Sequence, residues 1–389
     1  MLDYDPLSPA MVADPYPWYA ELRQGGRVQY SERLRSWLIP GYDDCRTVLS
    51  DTARFASDWR RVGEEAPDAV LSMQELDPPE HGPLRRLFTT VFRRQDLSGI
   101  GEATYEVSRD IMRTVREWPR FDFTAEVARP VALFAVCRLL GVPEPKVETF
   151  AAQVDALNRG MDAGLLPELR EPAVAARAEI NELIASWHRE AGGEGLLADV
   201  LTGARETGVS EQAVWNTVRV MFLAGFSTTV GAVANAVLAL VERPELVTRL
   251  RQPSALDTAV DEFMRFDGPV QGTSRAVVVN SELAGVRLSR GDTVLMLFAA
   301  ANRDPAQFDR PDELVLARSP NRHLGMGWGA HACTGAILAR LVMKAVLRSL
   351  IELPAVPMPA ARWSALPAPR FDTRTTYPWP FRPERGPDP

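Results

Sequence analysis

The run of residues 210–242 is apolar nearly all round and contains no proline or helix-breaking cluster. Its spacing predicts one helix of about 50 Å at 1.5 Å per residue, the width of a domain of this size. A helix without a polar face must be surrounded by other elements, so the rest of the chain has to be built around this one. Arg243-Pro244 ends it, because proline cannot continue the hydrogen-bond ladder. Arg219, Ser227, Thr228, Thr229 and Asn235 interrupt the apolar run that a membrane span requires, which favours a core helix and no membrane. Within it sits AGFSTT, an Ala-Gly pair followed by three hydroxyls that packing alone does not explain.

The surrounding chain of 389 residues, 46% hydrophobic and 24% charged, has ordinary globular composition. No linker or internal repeat divides it, so a single domain over residues 1–389 is expected. A net charge of -7 argues against nucleic acid as the main partner, since neutralising phosphates needs a concentrated basic face. Cys45, Cys137 and Cys333 are odd in number and unpaired in spacing, which suggests a reducing compartment. MLDYDPLSPA has neither the basic nor the apolar region of a secretory signal, and the expected location is cytoplasmic.

Apolar residues recur at three and four through most of the first two thirds, predicting a mainly α fold with a small β portion. A short helix near Trp18 ends at Gly25-Gly26, and RVQYSERLRSWLIPG reads as two short strands. Residues 51–76 lack a period and read as a long binding loop. In DPPEHGPLRRLFTTVFRR, Asp77 is placed to cap a helix with Pro78 in its first turn. Helical patterns continue to Gly141 and over residues 146–191. From Thr273 the texture changes to β-branched runs with turns at Ala284-Gly285 and Arg290-Gly291, and a last helix follows over residues 336–350. The proline-rich tail suggests only strand and coil.

HLGMGWGAHACTG sets glycines around His331 and Cys333 just before that last helix. Glycine lets the chain approach a ligand and turn several N–H groups toward one point. A cysteine at a helix N-terminus has its thiolate favoured by the dipole and those amides. Three readings compete for Cys333. A buried free cysteine leaves the glycines unexplained. A structural zinc needs about four N/S ligands, which His331, His323 and one cysteine do not supply. The third reading is haem iron with one axial thiolate.

DEFMRF puts Glu262 and Arg265 three apart on one helical face, 71 positions before Cys333. With AGFSTT and ARSPNRHLGMGWGAHACTGAILAR in this order, nearly the whole chain resembles the cytochrome P450 family. That resemblance implies a haem buried between the long central helix and the helix after the cysteine loop. Cys333 would ligate the iron of haem b, iron protoporphyrin IX, with Met326 and Gly335 beside it. Glu262, Arg265 and Arg322 would form a buried network. His81, Arg85, Arg275 and His331 would hold the two haem propionates, which need donors in an apolar pocket.

In a helix the Thr228 hydroxyl reaches the carbonyl of Ala224. With Gly225 adding little bulk, this predicts a local opening of the helix. By the resemblance, oxygen binds there and Thr228 helps deliver protons, while Thr229 packs. Two positions depart from the family pattern. Ser227 stands where an acid is usual, so a charged proton relay is missing. Met326 stands where phenylalanine is usual, which puts the packing and reduction potential of the haem in question.

The resemblance outlines a substrate pocket from Trp59, Met73, Val220, Leu223, Ala224, Thr228, Val270 and Gln271, mostly apolar, for a small hydrophobic or aromatic molecule. No flavin or iron-sulfur motif is present, so electrons would come from an external ferredoxin and its reductase. Arg85, Arg86, Arg93 and Arg94 offer that partner a basic face. The expected function is a haem-thiolate monooxygenase or oxidase that activates O2, in secondary metabolism. Ser227 keeps open redox chemistry without oxygen insertion, such as radical coupling, peroxide use or nitric oxide reduction. A haem sensor or carrier without turnover is the alternative of another class.

Overall fold

The computed structural model describes residues 4–118, 121–190, 193–252 and 254–352; the proline-rich tail lies outside them. The central helix runs Glu211–Glu242, with Ser210 capping it through a hydrogen bond from the Ala213 amide at 3.3 Å. By length and composition it would cross a membrane, yet two thirds of its most apolar stretch is buried inside the protein. Phe222, Val230, Val233 and Val237 have almost no exposed surface and belong to the main hydrophobic core. Helices Arg129–Leu140, Leu196–Thr207, Ala255–Asp267 and Ala336–Glu352 pack against it. An all-round apolar helix has thus obtained the neighbours its composition demands.

Among the described residues seven strands make the β portion: β1 (Gln29–Ser31), β2 (Ser36–Ile39), β3 (Phe55–Ala56), β4 (Thr273–Val277), β5 (Ser281–Leu283), β6 (Val286–Leu288) and β7 (Thr293–Met296). Five form a sheet in the order β1-β2-β7-β4-β3, antiparallel except for the parallel β2-β7 pair. The β5-β6 hairpin turns at Ala284-Gly285, both with positive φ, as a two-residue turn matched to strand twist requires.

Three expectations change. The region 51–76 is not structureless: it holds β3 and two 3₁₀ turns, Trp59–Val62 and Asp68–Val70. The helix after it begins at His81 with Glu80 as N-cap, so Asp77 does not cap it and Pro78 precedes its first turn. The Asp77 carboxylate is spent on the Asp58 amide, Arg61 and His331 instead. The central helix also stays continuous through Ala224 and Thr228, so the expected opening does not interrupt it.

Candidate active site

The Cys333 loop is held by backbone bonds: the Cys333 amide donates to Met326 O at 2.7 Å, and Gly327 N to Leu324 O at 2.8 Å. Gly329, at φ +69°, lies where a Cβ would come within 2.4 Å of the Leu49 carbonyl, so only glycine lets the loop sit this close to helix Tyr42–Ser50. Cys333 is accessible. Protein nonetheless surrounds it closely, and this burial pushes the thiol above its ordinary value. The Gly335 amide, the charges of Arg85 and Arg340, and the Ala336 amide oppose that rise. An accessible sulfur with interior surroundings belongs on the wall of an internal space. Gly335 borders it, since a Cβ there would stand 3.9 Å from the sulfur.

In the middle of the central helix, where Val218, Phe222, Phe226, Thr229 and Val230 are buried, Val220, Leu223, Ala224, Ser227 and Thr228 are half-buried, together with Met221 and Gly225. The spacing of Val220, Leu223, Ala224, Ser227 and Thr228 at three and four marks one face of the helix open to space. The Thr228 hydroxyl donates to Ala224 O at 2.7 Å, as its position predicts. Gly225 also allows a close approach to helix Arg129–Leu140, where a Cβ would lie 3.1 Å from Val136. The Ser227 hydroxyl has no protein partner among the described residues.

The four expected propionate donors gather beside the cysteine loop. His81 and Arg85 project from helix His81–Arg94, Arg275 from β4, and His331 from the cysteine loop. The His81 and His331 rings lie 4.5 Å apart, and Arg85 donates to Ala332 O at 2.7 Å. His81 Nε2 is buried without a partner among the described residues, the mark of a site built for an acceptor. Burial, then the charges of His331 and Arg85, push His81 down to about 4 against the pull of Asp77. Burial also lowers His331, against its bond to Asp77. Two carboxylates placed here would answer the orphaned nitrogen and the accumulated positive charge.

Among the described residues no three His, Cys, Asp or Glu side chains are placed to hold a metal ion together. A metal on Cys333 must therefore bring most of its own ligands, as a porphyrin does. The residues present fit haem b.

Glu262 and Arg265 are fully buried and paired at 2.8 and 2.9 Å. Arg265 also donates to the carbonyls of Asn302, Pro311 and Glu313, and Glu262 accepts from the Val315 amide and Asn321. The third arginine is Arg318, with Nε at 3.0 and 3.2 Å from the Glu262 oxygens, not Arg322. Arg322 has an exposed side chain, and its backbone carbonyl accepts from the Tyr42 hydroxyl. Both arginines precede the loop, and the sequence offered no spacing rule to choose between them.

Met73 and Val270 belong to different hydrophobic clusters, Met73 to the main core and Val270 to the sheet core. Loop 68–73 is strapped to the central helix: Asn216 donates to the carbonyls of Asp68 and Leu71, Arg219 to that of Ala69, and the Met73 amide to Thr217 Oγ1. Trp59 begins a 3₁₀ turn that packs against β4, and Val270 is half-buried against the sheet core. Gln271 has its side chain engaged within the protein. It is buried, and its amide is spent on the Gly268 carbonyl and the Tyr19 hydroxyl. Met326 packs half-buried against the main core. Asp77 was not among the expected site residues; its neighbourhood to His81 in DPPEH was the available signal.

A family model described as cytochrome P450 matches residues 188–356. The cytochrome P450 monooxygenase PikC of Streptomyces venezuelae is 34% identical over 369 residues, covering 90% of this chain and 86% of that protein. The mycinamicin IV hydroxylase/epoxidase of Micromonospora griseorubida is 31% identical, covering 89% of this chain and 91% of that protein. The crystal structure of CalO2 superposes with a TM-score of 0.81 at 32% identity, covering 91% and 92% of the two chains. Similarity of this extent takes in the central helix and the cysteine loop together, and the chain belongs to the cytochrome P450 family.

Proposed function

We propose that this P450 monooxygenase oxidises a small hydrophobic organic molecule of secondary metabolism in the cytoplasm, with electrons from an external ferredoxin and its reductase. The observation that carries the reading is the half-buried set in the middle of the central helix, apolar at Val220 and Leu223 and polar at Ser227 and Thr228. Such a set accepts an apolar ligand while keeping two hydroxyls for proton handling. Trp59, Met73 and Val270 add apolar walls from other segments. Membership of a family of monooxygenases sets aside a sensor or carrier without turnover.

Haem b, ligated through Cys333, supplies the activation of dioxygen. Cys333 would ligate its iron, and His81, Arg85, Arg275 and His331 would hold its two carboxylates. The apolar walls exclude bulk water and orient the substrate. Thr228 gives its proton to Ala224 O, so its oxygen is free to accept a hydrogen bond from a water molecule and hold it over the site. Ser227 lends a hydroxyl that passes protons through water without carrying charge. Exposed Arg86, Arg93 and Arg94 on helix His81–Arg94 form the basic face for an acidic ferredoxin.

Ser227 favours one second reading, redox chemistry without oxygen insertion, because no acid at that position feeds protons to oxygen. An optical titration of the ferric holoprotein with aromatic, terpenoid, macrolide and cyclic-peptide compounds identifies the ligand class by its low- to high-spin shift. Turnover under isotopically labelled O2 then decides: label in the product supports insertion, and oxidised product without label supports coupling. No spin shift and no oxidised product from any class would overturn the small-hydrophobic reading.

A further inference from the structure

Two separate parts of the chain, the segment with Asp58 and Arg61 and the loop with His331, meet on one buried carboxylate. Asp77 Oδ1 faces His331 Nε2 at 3.1 Å, while Oδ2 accepts from the Asp58 amide at 3.1 Å and from Arg61 Nη1 at 3.3 Å. Only 1% of the Asp77 side chain is exposed. Its backbone carbonyl accepts from the His81 amide at 3.1 Å, which fixes the start of the helix bearing His81 and Arg85. Arg61 goes on to donate to the carbonyls of Thr52 and Ala53. An ionised carboxylate only accepts, and has lone pairs enough for all three donors at once. Removing it leaves buried donors without partners, and that loss exceeds the worth of any one of the bonds.

We propose that Asp77 is a positioning residue that ties the segment 57–62, which carries Trp59, to the carboxylate end of the haem through His331. A shift of the segment then moves the His331 ring, and a shift of His331 moves the segment. His331 in turn lies ring to ring with His81, whose Nε2 awaits an acceptor. The effect on haem retention needs only the cofactor of the family. The effect on pocket ligands rests on the proposed place of Trp59 in the pocket wall.

The test uses the holoprotein and two readouts. One is the rate of haem transfer to excess apomyoglobin; the other is the dissociation constant of 4-phenylimidazole, whose ring extends from the iron into the pocket. Asp77→Asn is expected to speed haem loss by on the order of tenfold and to weaken 4-phenylimidazole, with Asp77→Glu recovering part of both. If Asp77→Asn does not fold, Arg61→Gln and His331→Gln, singly and together, form a double-mutant cycle on haem transfer. Non-additive effects support a link through Asp77, and strictly additive effects overturn it. Faster haem loss in Asp77→Asn with unchanged 4-phenylimidazole binding also overturns the coupling, provided Trp59→Ala weakens that ligand. An unchanged constant in Trp59→Ala instead removes Trp59 from the pocket wall and leaves the haem-transfer cycle to decide the link.

Discussion

Arg318 Nε lies 3.0 Å from Glu262 Oε2, on a carboxylate that Arg265 already holds at 2.8 Å. Two guanidinium groups on one buried acid are stabilised by the groups around them: Arg265 gives its three other N–H to backbone carbonyls, Arg318 reaches those of Asp309 and Arg310, and Glu262 also accepts from the Val315 amide and Asn321. Glu262→Gln is therefore expected to cost about 3–5 kcal/mol of stability. Arg318→Gln should cost about 2 kcal/mol and Arg322→Gln under about 0.5 kcal/mol. Urea unfolding of the three variants measures this, and equal losses for the two arginine variants would contradict the assignment of the third member.

His81 carries a pH dependence of the haem-free protein. Its folded pKa, pushed down to about 4 chiefly by burial, lies below the unfolded value of about 6.5. The unfolded chain then binds the proton more readily, so this contribution is present above pH about 6.5 and is lost as pH falls through about 4. The loss amounts to at most about 3 kcal/mol. Unfolding midpoints measured from pH 7 to 4 should fall less in His81→Gln than in the parent. Haem should shrink the difference, because carboxylates beside His81 favour its charged form.

Thr228 holds its hydroxyl on Ala224 O. Thr228→Ala removes the group that orients water over the site but no apolar wall. Product formed per reduced nicotinamide consumed should fall about tenfold, with the spin-shift affinity for substrate changing less than about twofold. Thr228→Ser should retain most of the yield. Full coupling in the alanine variant would remove Thr228 from proton delivery.

Arg93 and Arg94 are exposed at the end of helix His81–Arg94, where they strengthen the basic face. Reversing both to Glu should slow reduction by ferredoxin about tenfold at low salt. The deficit should fade in high salt, because the screening length drops to about 3 Å at 1 M. Reduction of the parent that is indifferent to salt would contradict a steered encounter.

Met326 gives its carbonyl to the Cys333 amide and packs its side chain half-buried beside the loop. Met326→Phe replaces a flexible thioether by a rigid ring of larger volume. A measurable change in the reduction potential of the holoprotein is expected, and an unchanged potential would show that the residue only fills space.

Much of this protein is decided by local chemistry, and so was readable from the chain alone. The central helix follows from an apolar run with Ser210 before it and Arg243-Pro244 after it, and both ends are where these residues place them. The Thr228–Ala224 bond follows from helical spacing, and the Glu262–Arg265 pair from positions three apart. Long-range matching decided the remainder. Arg318 rather than Arg322 meets Glu262 because the loop turns only the former inward, and no short-range rule distinguishes two arginines four residues apart. Gly225 faces Val136, and Gln271 is held by Tyr19, through approaches between elements far apart in sequence. Asp77 looked like a helix cap because its neighbours are those of a cap; its partners Asp58, Arg61 and His331 come together only when the chain has closed around the site. A buried carboxylate goes to whichever donors the tertiary fold leaves without water, and sequence neighbours do not reveal which those are.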